Sequence, residues 1–221
     1  MKELTGKEWF NRKKEREEYL REYDENDCNF KTLKTLKRNK TILSLGCGGG
    51  REVKFLCSIG SKVTAIDFAD KMIEQSKKIE PNAEYICQDV IDYARKEKRK
   101  RKYDYIIGMY NFLCGIEHKE RQEFINNLLT ILKEDGELIL SFRYINMGLK
   151  EYLRLFITPF FCLFMGREYH FGDVVYNLSI GRYNFAHYFT KPEIKKLFRG
   201  SFFKIEGTVI RAKNRENKEN R

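Results

Sequence analysis

Three histidines, four clustered glycines and two acids that each close an apolar run are the residues of this 221-residue chain whose types and spacing could do chemistry. Gly46, Gly48, Gly49 and Gly50 follow the run Thr-Ile-Leu-Ser-Leu at 41–45 and lead into a charged helix start at Arg51. Glycines in such a turn let backbone N–H groups approach a ligand closely. Dinucleotides, phosphates and sulfonium cofactors all exploit that approach. A dinucleotide fingerprint beginning at Gly46 needs a small residue at position 51, which is Arg, and a phosphate loop needs a following Gly-Lys-Ser/Thr, which is absent. Asp67 ends the next apolar run, where a carboxylate faces the same crevice and can accept both hydroxyls of a ribose. A helix cap is the other reading of Asp67, but Asp70 is placed to fill that role. Phe68 beside it suits an adenine face or the core. Asp89 closes the third run, positioned either to receive an adenine amino group beside the Val90 backbone or to cap the next helix.

The histidines are dispersed in the sequence. His118 opens one helical stretch, His170 lies in Arg-Glu-Tyr-His-Phe-Gly-Asp, and His187 precedes a second helical stretch. A structural role is the plain reading for each, and His187 is the best-placed base or substrate-orienting group. Tyr110 and Asn111 follow the fourth strand and lie toward the ligand edge. The six cysteines are scattered with no Cys-x-x-Cys pair, so they read as reduced small hydrophobes rather than a zinc site or disulfide frame. No metal site is expected.

Positioning these groups takes an alternation of strands and helices. Residues 41–46, 62–67, 83–89, 103–110 and 136–143 read as strands, with helices over 51–60, 71–80 and 118–136, the last closed by Gly136. Crossovers of this length imply a parallel sheet, whose ligands bind beyond the carboxyl ends of its strands. Residues 1–40 read as an N-terminal helical cap, with Trp9, Phe10, Tyr19, Leu20 and Tyr23 as its apolar contacts. The main domain covers 41–213, interrupted after the fifth strand by an aromatic insert at 144–188, and a disordered tail covers 214–221. Within the insert, Leu155–Gly166 carries no charge. It reads as a hydrophobic cap packed on the domain, with a pocket lid or an interfacial segment as sharper alternatives; Pro159 and its length argue against a membrane-spanning helix.

The net charge of +11 is local. Residues 95–102 hold seven basic side chains and one acid, and residues 211–221 hold five and two, which leaves +2 elsewhere. A solvated loop is favoured over a phosphate-binding patch at 95–102. With no signal-peptide core at the N-terminus, a cytoplasmic location is expected.

In combination these strand ends carry a resemblance. "ILSLGCGGGR", "VTAIDFADKMI" and "EYICQDV" resemble, in order, the glycine, ribose-binding and adenine-binding motifs of the class I S-adenosylmethionine-dependent methyltransferases. "YDYIIGMYNFLCGI" and "LLTILKEDGELILSF" are similar to their fourth and fifth strand motifs. The resemblance implies a Rossmann-like, mostly parallel seven-stranded α/β sheet with helices on both faces. It implies S-adenosyl-L-methionine as cofactor, held by Ser44, Gly46, Cys47, Gly48, Gly50, Asp67, Phe68, Met72, Asp89, Val90 and Met109. Ser44 stands where the family usually has an acid for the methionine ammonium. Water, a cap residue or carbonyls near Gly46 or Met109 would then replace that contact. The expected reaction is methyl transfer to a small-molecule acceptor, of apolar or aromatic character by the insert, with His187, Tyr110 and Asn111 as catalytic candidates. An RNA acceptor bound by 95–102 and a non-catalytic cofactor-binding relative are the alternatives.

Overall fold

The computed structural model describes residues 2–3, 11, 27–98, 100, 102–145, 148–179 and 182–214. In chain order the elements are β1 (Lys2–Glu3), α1 (Cys28–Lys34), β2 (Thr41–Leu45), α2 (Arg51–Ser58), β3 (Lys62–Asp67), α3 (Asp70–Ile79), β4 (Glu84–Cys87), α4 (Val90–Glu97) and β5 (Tyr103–Gly108). A 3-10 turn (Phe112–Gly115) follows, then α5 (His118–Ile131), β6 (Leu132–Ser141), α6 (Leu149–Phe164), β7 (Asp173–Ser179), β8 (Arg182–His187), α7 (Lys191–Leu197), β9 (Ser201–Glu206) and β10 (Val209–Asn214).

Seven strands form one sheet in the order β4-β3-β2-β5-β6-β10-β9. Strands β2 to β6 are mutually parallel, and β10 runs antiparallel to both β6 and β9. The unbroken burial of Ile42–Leu45 and Val63–Asp67 reflects a parallel sheet covered on both faces, whereas the edge strand β4 has no fully buried residue. Alternation along β2 divides the core. Leu43 and Leu45 pack with Phe124, Leu128 and Ile194 of α5 and α7, while Ile42 packs with Leu33, Val53 and Ile73 of α1, α2 and α3. The strand order reverses between β2 and β5, so the crevice for a ligand lies where the glycine turn leaves β2. The expected α/β sheet with helices on both faces is therefore present.

Local details differ from the sequence expectations. Ala69, not Asp70, holds the N-cap position of α3, and Asp70 is its first residue. Helix α5 ends at Ile131 and β6 begins at once, so Gly136 lies inside a strand rather than closing a helix. It is glycine there because a Cβ would meet the Tyr103 carbonyl at 2.9 Å. Residues 95–97 of the basic run form the last turn of α4 rather than a loop, and three of its seven basic side chains meet acids nearby. Arg95 reaches Glu120 and Glu123, and Lys100 and Lys102 both pair with Glu97. Arg99 and Arg101 lie outside the described residues, as does most of the 1–40 cap, including its five named aromatic and leucine contacts.

The insert supplies a helix and a hairpin. Strands β7 and β8 pair antiparallel, and β1 joins β8 to make a second, three-stranded sheet. Helix α6 contains Pro159 and is held to β7 by Thr158, whose hydroxyl donates to the Arg154 carbonyl at 2.7 Å and accepts the Val175 N–H at 3.0 Å. Its inner side packs on the domain through Thr158 and Cys162, while its outward side exposes large apolar residues. Among the described residues no helix is long and apolar enough to cross a membrane, and all six cysteines are free thiols.

Candidate functional site

The glycine turn is held in place by the backbone of the neighbouring strand. Cys47 donates its N–H to the Ile66 carbonyl at 2.9 Å, and Gly46, Gly48 and Gly50 take positive φ values of 61°, 50° and 89°. Glycine is required for two different reasons. At Gly50 a Cβ would sit 2.3 Å from Ser76 Oγ and 2.8 Å from its Cα, so this residue lets α2 pack on α3. At Gly46 a Cβ would come within 3.2 Å of the Phe112 ring, which also fills the space beside Gly108. The loop after β5 therefore packs directly over the glycine turn.

Asp67 binds this turn together. Its Oδ2 accepts the Gly48 N–H at 2.9 Å and its Oδ1 accepts the Ala69 N–H at 2.8 Å. The carboxylate is 6% exposed; burial raises its pKa, and the bonds from Ala69 and Gly48 oppose that rise. Each oxygen retains a lone pair, so ribose hydroxyls can be accepted without breaking either bond. Asp89 is the N-cap of α4, accepting from Ile91 at 2.8 Å and Asp92 at 3.3 Å, and it remains exposed. Its capping reading is realised through Oδ1, which takes both bonds. Phe68 is half-buried; Cys47, Met72, Val90 and Met109 are buried around the crevice.

Ser44 is 1% exposed, and its Oγ has no hydrogen-bond partner among the described residues. It faces the α1 and α2 side of the sheet, as Ile42 does. Close by in sequence is an acid that the sequence reading passed over. Glu52, in the first turn of α2, is buried, and burial pushes its carboxyl up to about 7, with the nearby Asp67 charge adding to the rise. An acid at a helix start reads in sequence as a partner of the helix dipole; only packing shows that it is buried.

Tyr110 and Asn111 both adopt left-handed backbone, with φ of 58° and 60°. Consecutive non-glycine residues in this region carry strain that the surroundings must hold. Here Asn29 Oδ1 accepts the Tyr110 N–H at 3.3 Å, Ser141 Oγ accepts the Asn111 N–H at 2.6 Å, and the Arg51 guanidinium lies over the Tyr110 ring at 4.1 Å. Asn111 is exposed at the turn.

Beyond Phe112, the 3-10 turn leads to a cavity of about 270 Å³ walled by Cys114, His118 and Arg121 on one side and Arg167, His170 and His187 on the other. All three histidines of the chain converge here. His118 stacks on His170 with centroids 4.1 Å apart and meets His187 edge-on at 6.4 Å. His187 is 2% exposed, with Nδ1 2.7 Å from Asp173 and Nε2 2.8 Å from Glu193. Burial alone would lower its pKa, but hydrogen bonds to the two carboxylates outweigh that and raise it. Held between two carboxylates, the imidazolium donates from both nitrogens and has no lone pair for a further proton. Glu193 also closes a capping box with Thr190 at the start of α7 and takes Arg121 Nη1 at 3.4 Å. His118 is different: it is exposed at the mouth of the cavity, and burial and the neighbouring His170 lower its pKa. Its convergence with His170 joins an α5 residue to the insert, a contact no sequence spacing announces. Among the described residues no cluster of side chains suits a metal ion.

Comparison with known proteins agrees with this arrangement. A family described as Methyltransferase domain matches residues 42–136. The Ubiquinone biosynthesis O-methyltransferase of Coxiella burnetii (strain RSA 331 / Henzerling II) is 30% identical over 165 residues, covering 72% of this chain and 61% of that protein. The chain thus spans about six-tenths of that relative's length. The protein of the same name from Pelagibacter ubique (strain HTCC1062) is 26% identical over 86% of this chain and 73% of its own. Among solved structures, a SAM-dependent methyltransferase from Methanosarcina mazei superposes with a TM-score of 0.68 at 22% identity, covering 82% of this chain and 95% of that one. A DhpI–SAM–HEP complex superposes with a TM-score of 0.58 at 14% identity, covering 83% and 82%. The matched Methyltransferase domain thus runs through the glycine turn and both acidic strand ends, and the shared fold extends well beyond it.

Proposed function

We infer that the protein transfers a methyl group from S-adenosylmethionine to an oxygen of a small molecule bound in the histidine-walled cavity. The observation that carries this reading is the adjacency of the two halves: Phe112 packs on the glycine turn, and the turn it begins forms the cavity wall. The residues fit the cofactor. Gly46 and Gly48 open the backbone, Asp67 keeps lone pairs for the ribose, Asp89 and Val90 stand at the adenine end, and the unanswered Ser44 hydroxyl lies under the turn. When bound, the cofactor supplies an electrophilic methyl on a positive sulfonium, so the leaving group is neutral and needs no stabilising cation.

What the chain must do is align the acceptor, exclude water and take the acceptor's proton. His118 is the proton acceptor in this reading once the bound molecule displaces the long 3.4 Å bond that Arg121 Nη1 donates to its Nδ1, and its lowered pKa favours the neutral ring. His187 serves instead to position the wall, tying Asp173 of β7 to Glu193 of α7. Tyr110 and Asn111 shape the passage between the two halves. The relatives named for O-methyl transfer in ubiquinone biosynthesis support an oxygen acceptor. Arg95, Lys100 and Lys102 of the 95–102 run are engaged by acids of the chain itself, which lessens the case for an RNA acceptor. Titration calorimetry tests the reading: one S-adenosylmethionine site per chain is expected, and no binding at millimolar cofactor would place the protein among non-catalytic relatives.

A further inference from the structure

We propose that the outward face of α6 docks the protein on an anionic lipid bilayer. Phe156, Phe160 and Phe164 recur at four-residue intervals along α6 and are 62%, 63% and 85% exposed. Leu153, Ile157 and Leu163 flank them on the same side of the helix, and Leu163 is 81% exposed. At ~200 Å² for each large apolar side chain, this stripe with Tyr152 and the neighbouring Phe171 exposes on the order of 900 Å², beyond the ~300–600 Å² of an ordinary largest patch. The helix is anchored by its opposite side, where Thr158 and Cys162 are buried against the domain. The apolar face is therefore turned outward by the same contacts that fix the helix.

Two features favour a bilayer over a second copy of the chain. A protein interface carries about one hydrogen bond per 100–200 Å². From Leu155 to Gly166, however, the sole side chain with a strong hydrogen-bonding group is Thr158, and it is spent inward. Acyl chains ask for no such partner. The charge is also complementary to acidic headgroups. The helix's one acid, Glu151, pairs with Arg143 at 3.2 Å, while Arg154 is exposed within the helix and Arg167 just beyond it. Glu168 is the nearby exposed acid, and it faces His170 at 3.6 Å. Residues 143–171 carry four basic and two acidic side chains, a local +2 that draws an anionic surface. A helix with an apolar face and basic residues beside it lies in the interfacial plane, its apolar side reaching ~5–10 Å into the headgroup boundary. Because Arg167 and His170 follow α6 and line the cavity, docking would bring the cavity mouth close to the lipid surface.

The experiment is flotation of the full chain with vesicles of phosphatidylcholine alone and of phosphatidylcholine mixed with phosphatidylglycerol, alongside light scattering in solution. The expected result is co-flotation with the mixed vesicles and weaker association with phosphatidylcholine. Phe160→Ser combined with Phe164→Ser should lower binding by about tenfold or more while leaving the melting temperature unchanged. Leu163→Asp supplies an independent variant at an exposed position and should lose binding likewise. Absence of flotation with either vesicle, or undiminished flotation of the two variants, overturns the proposal. So does a solution dimer that the variants convert to monomer, which would make a second copy the occupant. None of these outcomes depends on whether the chain transfers methyl groups.

Discussion

Replacing Asp67 by Asn tests whether one buried carboxylate both ties the glycine turn and receives the cofactor. The aspartate accepts two backbone N–H groups, from Gly48 at 2.9 Å and Ala69 at 2.8 Å, one on each oxygen. Asparagine has the same shape but a single acceptor oxygen, so its amide NH2 must face one of those N–H groups. A lost charge-assisted bond is worth about 1.5–3 kcal/mol, and the orphaned buried N–H costs about 1–3 kcal/mol more. Relief of the carboxylate's burial, the leading cause of its raised pKa, returns part of this. A net destabilisation of about 2 kcal/mol follows, readable as a lower urea midpoint at unchanged slope. Ribose recognition loses one of two charged acceptors, so affinity for S-adenosylhomocysteine should fall by roughly 10- to 150-fold in calorimetry. If the variant is destabilised but binds the nucleoside product as tightly as the parent, Asp67 is a structural tie and the ribose site has been misplaced.

Three further substitutions probe separate groups. Glu52→Gln should change how stability depends on pH. The folded protein holds the Glu52 proton up to about pH 7 against 4.5 for the ordinary group, so it binds more protons than the unfolded chain between those values and stability falls as pH rises through them. Removing the charge should recover up to ~3 kcal/mol above pH 7 and flatten that part of the melting profile; an unaltered profile would place Glu52 in a solvated setting. For His118→Ala, kcat/KM should lose its acid limb, whose midpoint in the parent lies below 6.5, with cofactor affinity intact; a retained limb would assign the proton to another group. His187→Gln keeps one hydrogen bond of the Asp173–His187–Glu193 bridge and should cost about 1–3 kcal/mol of stability, because the half-buried Asp173 carboxylate loses its cation. Since its raised pKa makes the parent's contribution complete below pH 6.5 and lost as pH rises through the folded value, the difference between the two proteins should shrink in alkali.

How much of this was legible in the sequence depended on whether the signal was local. The strands around Ile42–Leu45 and Val63–Asp67 announced themselves because burial on both faces demands unbroken apolar runs, and Asp67 stood out by ending one. The Thr190–Glu193 capping box is equally local. Gly136 misled because a glycine after a helical run looks like a helix end, whereas here it clears the carbonyl of Tyr103 on the paired strand. Asp70 misled because the helix begins one residue earlier than the sequence suggests, which makes Asp70 its first residue and Ala69 its N-cap. The stacking of His118 on His170, the burial of Glu52 and the seat of Phe112 between Gly46 and Gly108 depend on elements that meet only in the fold. The insert was visible as an apolar run, but which side of α6 would be left uncovered was set by the bond from Thr158 to β7.

The central claim is tested most directly by incubating the protein with methyl-labelled S-adenosylmethionine and a lysate separated into metabolite, lipid, RNA and protein pools. Label is expected in a small hydroxylated molecule of the metabolite or lipid pool, and to be lost with Asp67→Asn. Label confined to RNA or protein, or none in any pool, would contradict the account.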